Sequence, residues 1–320
     1  MRLATFEVDT RTGPVRRVGV RRDGSLVDVT AGYAQVLAER GDPEPVSQAL
    51  TTVPPEMIPF LRRGDTALSA ARDAVELVET TDVRTGPDGA RLAYDLDEVD
   101  LCSPIPRPNS LRDCIAFEEH LRNSLGDDVP DVWYEMPVYY KSNPDSVIGP
   151  DEPVQWPSYT EKLDYELELG VVIGKRGRDI PAEEAETYIA GYTVFDDFSA
   201  RDIQLREMEV GLGPSKGKDF ANALGPYLTT ADSFDPTDAT MRASVNGEVW
   251  SEGNAGSMYH SFAEIIEHVS MGETIYPGDV IGSGTVGGGC GLELDRWLSD
   301  GDVVELEIEG IGVLRNTVER

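Results

Sequence analysis

The sequence is poor in cysteine, lysine and histidine, and it has no long apolar run. Three cysteines in 320 residues (Cys102, Cys114 and Cys290) form an odd and widely scattered set. That excludes a disulfide scaffold and a thiolate zinc site and fits a reducing cytoplasm. No stretch of about 18 apolar residues occurs, and no basic-then-apolar leader follows Met1, so a soluble, unprocessed chain with no membrane segment is expected. Positive charge is scarce: 28 Lys and Arg face 59 Asp and Glu, for a formal charge of −31. No basic patch interrupts the excess, which excludes nucleic acid as a partner. Only five lysines remain, Lys141, Lys162, Lys175, Lys216 and Lys218, so each calls for a reason. There is no P-loop, no G-x-S-x-G elbow and no H-E-x-x-H.

What is present argues for a packed fold. Hydrophobic residues make up 40% of the chain and Gly and Pro punctuate it regularly, unlike a disordered acidic tail. Acidity spread over every segment resembles an adaptation to high salt, a property of the cell and not of the reaction. Residues 1–34 alternate apolar and polar and predict a small β unit, followed by helices near 43–50, 55–63 and 66–79. The Gly-, Pro- and Asp-rich stretch 80–110 predicts a boundary between a small α+β N-terminal domain (1–100) and a catalytic domain (101–320). Beyond it, short strands dominate, with helices expected at 181–190, 199–209 and 261–269. The fold class is therefore mixed α/β and β-rich, with a rolled or sandwiched catalytic domain.

Several stretches carry candidate chemistry. In LDYELELG, Asp164, Glu166 and Glu168 alternate, which predicts three carboxylates on one strand face at roughly 7 Å intervals. The stretch VVELEIEG repeats the pattern with Glu305, Glu307 and Glu309, so alternation alone does not separate a metal site from a wetted strand. In GYTVFDDFSARDIQ, Asp196 and Asp197 point to opposite faces of a strand, and only one can meet a pocket. Asp197, Glu166 and Glu168 together would form the oxygen-only ligand set suited to Mg²⁺, Mn²⁺ or Ca²⁺. His120 lies in LRDCIAFEEHLRNS, read as a helix that would place Asp113 two turns before it on the same face. The loop GPSKGKDFANALGP holds Lys216 and Lys218, and a lysine beside a hard cation can stabilise a developing oxyanion. GSGTVGGG satisfies G-x-G-x-x-G, but no βαβ unit surrounds it. Its glycines are read as allowing close backbone approach or a tight turn.

In this order, ELELGVVIGK, AGYTVFDDFSARDIQ, KGKDFANALGP, VNGEVWSEGN, PGDVIGSGTVGGG and GDVVELEIEGIGVLRNTV resemble the fumarylacetoacetate hydrolase family over about residues 105–320. The resemblance implies a rolled mixed β-sheet domain binding one divalent cation, Mg²⁺ or else Mn²⁺ or Ca²⁺, and a homodimer or larger assembly. By motif position it implies Asp113, Glu166, Glu168 and Asp197 as cation ligands. It further implies His120 as general base, oriented by Glu293, with Lys218 and Arg201 as catalytic cations. Gln204, Tyr140 and Thr285 match positions around the substrate. Two tyrosines of the fumarylacetoacetase branch fall on Ile115 and Met208.

The implied reaction is cytoplasmic C–C bond hydrolysis in a small diketo acid, of the fumarylacetoacetate or acylpyruvate kind, through a chelated enolate. His120 would activate water, and Lys218 and Arg201 would hold the enolate that departs. The same site implies a lyase alternative, dehydration or hydration of a 2-oxo-3-deoxy sugar acid.

Overall fold

A computed structural model describes residues 1–126 and 128–320. Its spine is the strand Leu167–Ile173, whose seven residues LELGVVI are all buried. Burial of every residue, apolar at all positions but Glu168, marks a central strand covered on both faces. It pairs antiparallel with Ile189–Asp197 on one side and with Val280–Gly282 on the other. Val280–Gly282 then pairs in parallel with Leu111–Cys114, which pairs with Tyr139–Ser142. On the other flank, Ile189–Asp197 pairs with Asn222–Thr230, and that strand meets the N-terminal strand Arg2–Thr10 through Arg2↔Thr229 and Leu3↔Leu228. The N-terminal β unit therefore continues one twelve-stranded sheet.

A second sheet of five strands, formed by Glu248–Asn254, Thr240–Val245, Val303–Ile308, Gly312–Glu319 and Val154–Gln155, packs its apolar face into the main core. It contains the VVELEIEG stretch. There Glu305 reaches Arg315 at 3.7 Å and Glu307 reaches Arg242 at 3.9 Å on the water-facing side, while Val304, Leu306 and Ile308 point inward. This alternation is that of a wetted strand. The mixed, strand-rich fold agrees with expectation.

Three local expectations need correction. Residues 29–39 form a helix, Val29–Glu39, started by the Asp28 side chain, which accepts hydrogen bonds from the Thr30 and Ala31 N–H groups. Gly32 lets this helix approach Asp65–Thr80, because a Cβ there would lie 2.8 Å from the Ala74 Cβ. The 181–190 helix is reduced to Ala182–Ala185 and a 3₁₀ turn, Glu186–Tyr188. LRDCIAFEEHLRNS is not one helix: Leu111–Cys114 is a buried strand, and the helix begins only at Glu118. Among the described residues, no helix is long and apolar enough to cross a membrane.

Candidate active site

LDYELELG is broken in the middle. Leu163–Asp164 pairs with Ser199–Ala200 in a separate two-stranded ladder, and the central strand begins at Leu167. The expected single face is lost for Asp164. Its carboxylate turns to the Arg201 guanidinium, Nε to Oδ2 at 2.7 Å, and accepts the Gly291 and Leu292 N–H groups at 2.7 and 3.0 Å.

Glu166 and Glu168 stay together and are joined by Asp197, at the end of its strand, and Asp113. Asp113 arrives from the neighbouring strand, opposite Gly282, and not from a helix shared with His120. All four are buried, and one ligand atom from each lies within 4.8 Å of the others. Asp113 Oδ1, Glu168 Oε1 and Asp197 Oδ1 are buried without a hydrogen-bond partner. Unpaired buried carboxylate oxygens are costly, and several converging on one point fit a hard divalent cation. Gly282 keeps the space open, since a Cβ there would sit 2.5 Å from Asp113 Oδ1 and 2.7 Å from Glu168 Oε2. The Gly284 N–H donates to Glu168 Oε2 at 3.1 Å.

The charges separate within this cluster. Burial, followed by the neighbouring Asp197, pushes the Asp113 carboxyl up to about 8. Burial and then Asp113 lift Glu168 well above the usual range. Burial also raises Asp197 to about 6, although Lys218 opposes it. Glu166 goes the other way: burial is outweighed by Lys218 and Arg201, and it stays ionised. Both its oxygens are occupied, Oε1 by Arg201 at 2.7 Å and Oε2 by Lys218, whose ammonium also lies 2.7 Å from Asp197 Oδ2.

His120 projects from the short helix Glu118–Leu125, and its Nδ1 lies 2.6 Å from Glu293 Oε1. Glu293 is fixed by the Asn123 side-chain amide at 2.6 Å and the Gly288 N–H at 2.8 Å. Burial raises the Glu293 carboxyl, but the His120, Asn123 and Gly288 donors prevail and keep it below its ordinary value. The Cys290 thiol points at Glu293 Oε1 from 3.4 Å, and burial holds it protonated. These three groups form a hydrogen-bonded His–Glu dyad with a thiol beside it.

The remaining expected residues gather at the same place with different contacts. Tyr140, opposite Asp113 in the ladder, donates its hydroxyl to Asp197 Oδ2. Gln204 accepts from Arg201 Nη1 at 2.9 Å. Thr285 is buried in the loop after Gly284. Ile115 is half-buried and Met208 is exposed. The sequence reading left out Asp164 as a support for Arg201 and Asn123 as a support for Glu293. It also left out Asp196, whose buried carboxylate accepts the Glu166 N–H at 2.9 Å. Asn123 was findable, because it lies three residues after His120 and so on the same helix face.

Residues 111–319 match the family description "Fumarylacetoacetate (FAA) hydrolase C-terminal". The oxaloacetate tautomerase YisK of Bacillus subtilis is 34% identical over 275 residues, covering 84% of this chain and 88% of that one. The human mitochondrial oxaloacetate tautomerase FAHD2A is 33% identical over 323 residues, covering 99% and 91%. Among solved structures, a fumarylacetoacetate hydrolase from the psychrophile Exiguobacterium antarcticum superposes with a TM-score of 0.73 at 28% identity, covering 100% of this chain and 99% of that one. A strand-rich sheet carrying four buried carboxylates, matched over this length, makes the chain a member of the fumarylacetoacetate hydrolase family.

Proposed function

We propose that the protein is a divalent-cation-dependent enzyme that interconverts the keto and enol forms of a short 2-oxo dicarboxylate, with oxaloacetate as the first substrate to test. The observation that carries this reading is the convergence of unpaired carboxylate oxygens from Asp113, Glu168 and Asp197 beside the buried Lys218 and Arg201. The names of the Bacillus subtilis and human relatives point to the same reaction.

Asp113, Glu166, Glu168 and Asp197 would hold the cation, Mg²⁺ or Mn²⁺ by their oxygen-only chemistry. The cation, when bound, supplies Lewis acidity that eases proton loss next to the 2-oxo group. Glu293 accepts the His120 Nδ1–H and so leaves Nε2 as the basic atom. Nε2 takes the enol hydroxyl proton of the substrate and a proton is returned at C3, so the step conserves atoms and charge. Lys218 and Arg201 place positive charge where the enolate's negative charge is largest. Gln204, Tyr140 and Thr285 would frame the substrate.

The same dyad supports a second reading. A free Nε2 backed by a carboxylate can take a proton from water, as C–C hydrolysis of an acylpyruvate requires. We assign the homodimer expected of the family to the same proposal.

The test presents freshly dissolved enol-oxaloacetate and a set of acylpyruvates to the protein with Mg²⁺ or Mn²⁺. Enol decay accelerated without carbon loss supports the tautomerase. Pyruvate release from an acylpyruvate with an inert oxaloacetate selects the hydrolase. Conversion of neither, with 2-oxo-3-deoxy sugar acids dehydrated instead, overturns both.

A further inference from the structure

A large cavity lies away from the carboxylate cluster. It has a volume of about 950 Å³ and sits between the N-terminal helices and the far end of the central strands. Gly174, on its wall, follows Glu168 by six residues of extended chain, which puts the cleft roughly 20 Å from the cluster.

Its charge is anomalous for this chain. Arg62, Arg63, Arg72, Lys175 and Arg176 line it, against Asp65 and Asp232. In a chain with 59 acids and 28 bases, a basic side chain ought to find an acidic neighbour readily. Arg72 does, reaching Asp232 at 2.9 Å. The other four bases have no carboxylate partner among the described residues. Lys175 rests 4.6 Å from the Tyr188 ring centroid and Arg176 5.7 Å from that of Tyr276, contacts that orient a cation without neutralising it. Exposed like charges converging on a concavity repel one another unless an anion enters. The walls also include Phe60, Leu68 and Ile189, so the space offers apolar surface beside the charge. Lys175 thereby gains a purpose in a chain that has only five lysines.

We propose that this cleft is a binding site for a small, multiply charged organic anion, one carrying phosphate or several carboxylate groups on an apolar body. The site is separate from the catalytic carboxylates and does not depend on which reaction they perform.

The test titrates inorganic pyrophosphate into protein passed over a chelating resin, at low ionic strength, and follows heat. Removing divalent cations keeps the probe from binding through the carboxylate cluster. One equivalent is expected to bind, and R62S/K175S is expected to weaken it at least tenfold. R11S/R206S, which removes two exposed arginines outside the cleft, is expected to leave it unchanged. All four positions are exposed, so the variants are expected to keep the wild-type melting temperature. Citrate separates the chemistries: binding of both probes assigns multiply charged anions in general, and pyrophosphate alone assigns phosphate. No binding by the wild type, or equal loss in both variants, overturns the proposal. So does a change in sedimentation of R62S/K175S without any anion heat, which would make the cleft an interface between copies.

Discussion

The Asp164 carboxylate joins two parts of the site that are far apart in sequence. One oxygen binds Arg201 Nε at 2.7 Å and also accepts the Leu292 N–H at 3.0 Å, while the other accepts the Gly291 N–H at 2.7 Å. Arg201 continues to Glu166, and the Gly291–Leu294 turn carries Glu293. Asp164 thus positions both the guanidinium and the residue that orients the base. Asp164→Asn keeps the shape and removes the charge, leaving Arg201 only partly compensated in a buried site. We expect a loss of about 3 kcal/mol in denaturant unfolding, the scale for breaking a buried pair. Turnover should fall at least tenfold with the cation affinity changed much less. An unchanged rate in a folded variant would remove Asp164 from this role.

The dyad makes a separate prediction. Glu293→Gln retains a hydrogen-bonding oxygen but no longer favours the tautomer with a basic Nε2, and a loss of roughly 10²–10⁴ in kcat is expected for a mis-set general base. His120→Ala should reduce turnover at least as far and leave Mg²⁺ or Mn²⁺ affinity close to wild type, since His120 is not among the four carboxylates. Retained turnover in His120→Ala would demand a different base.

Much of this arrangement was legible in the sequence, and the remainder has physical reasons for being hidden. Glu166, Glu168 and Asp197 stood out through their place in an ordered set of family motifs, because the alternation of Glu166 and Glu168 recurs in VVELEIEG and does not by itself mark a site. Asp164 obeys the same alternation, yet the ladder is interrupted between Asp164 and Leu167, and periodicity says nothing about where a strand stops. Asp113 was identified by its motif but placed on the wrong element. Its strand exists because Val280–Gly282 pairs with it from about 170 residues away, and nothing local announces that partner. The first helix was overlooked because Val29 and Thr30 favour strands, whereas the Asp28 cap decides the matter. The cationic cleft was invisible for the same reason as Asp113: Arg62 and Lys175 meet only through the fold.

Gly282 tests whether open space between the carboxylates is needed. Gly282→Ala inserts a methyl group 2.5 Å from Asp113 Oδ1 and 2.7 Å from Glu168 Oε2. Both carboxylates must move, so cation affinity should drop at least tenfold in a calorimetric titration. The cost to stability should be about 1–3 kcal/mol, the usual range for overpacking. Affinity equal to wild type would mean that the cation sits elsewhere.

Cation binding should depend on pH with a defined sign. In the cation-free protein, burial and mutual repulsion raise Asp113 to about 8 and Asp197 to about 6, and raise Glu168 as well. An unfolded Asp releases its proton near pH 4. From about pH 4 to 8 the folded chain therefore holds protons that the unfolded chain has lost, so the cation-free protein becomes less stable as pH rises through that window. A cation needs these carboxylates ionised and must displace the protons. Affinity should rise from pH 5 to pH 8, and titrations in two buffers of different ionisation enthalpy should reveal net proton release near neutral pH. The melting-temperature gain from Mg²⁺ or Mn²⁺ should be larger at pH 8 than at pH 5. Chelation should reverse it, and the reversal should cost more stability at pH 8. A gain independent of pH would mean that Asp113, Glu168 and Asp197 do not ligate the ion.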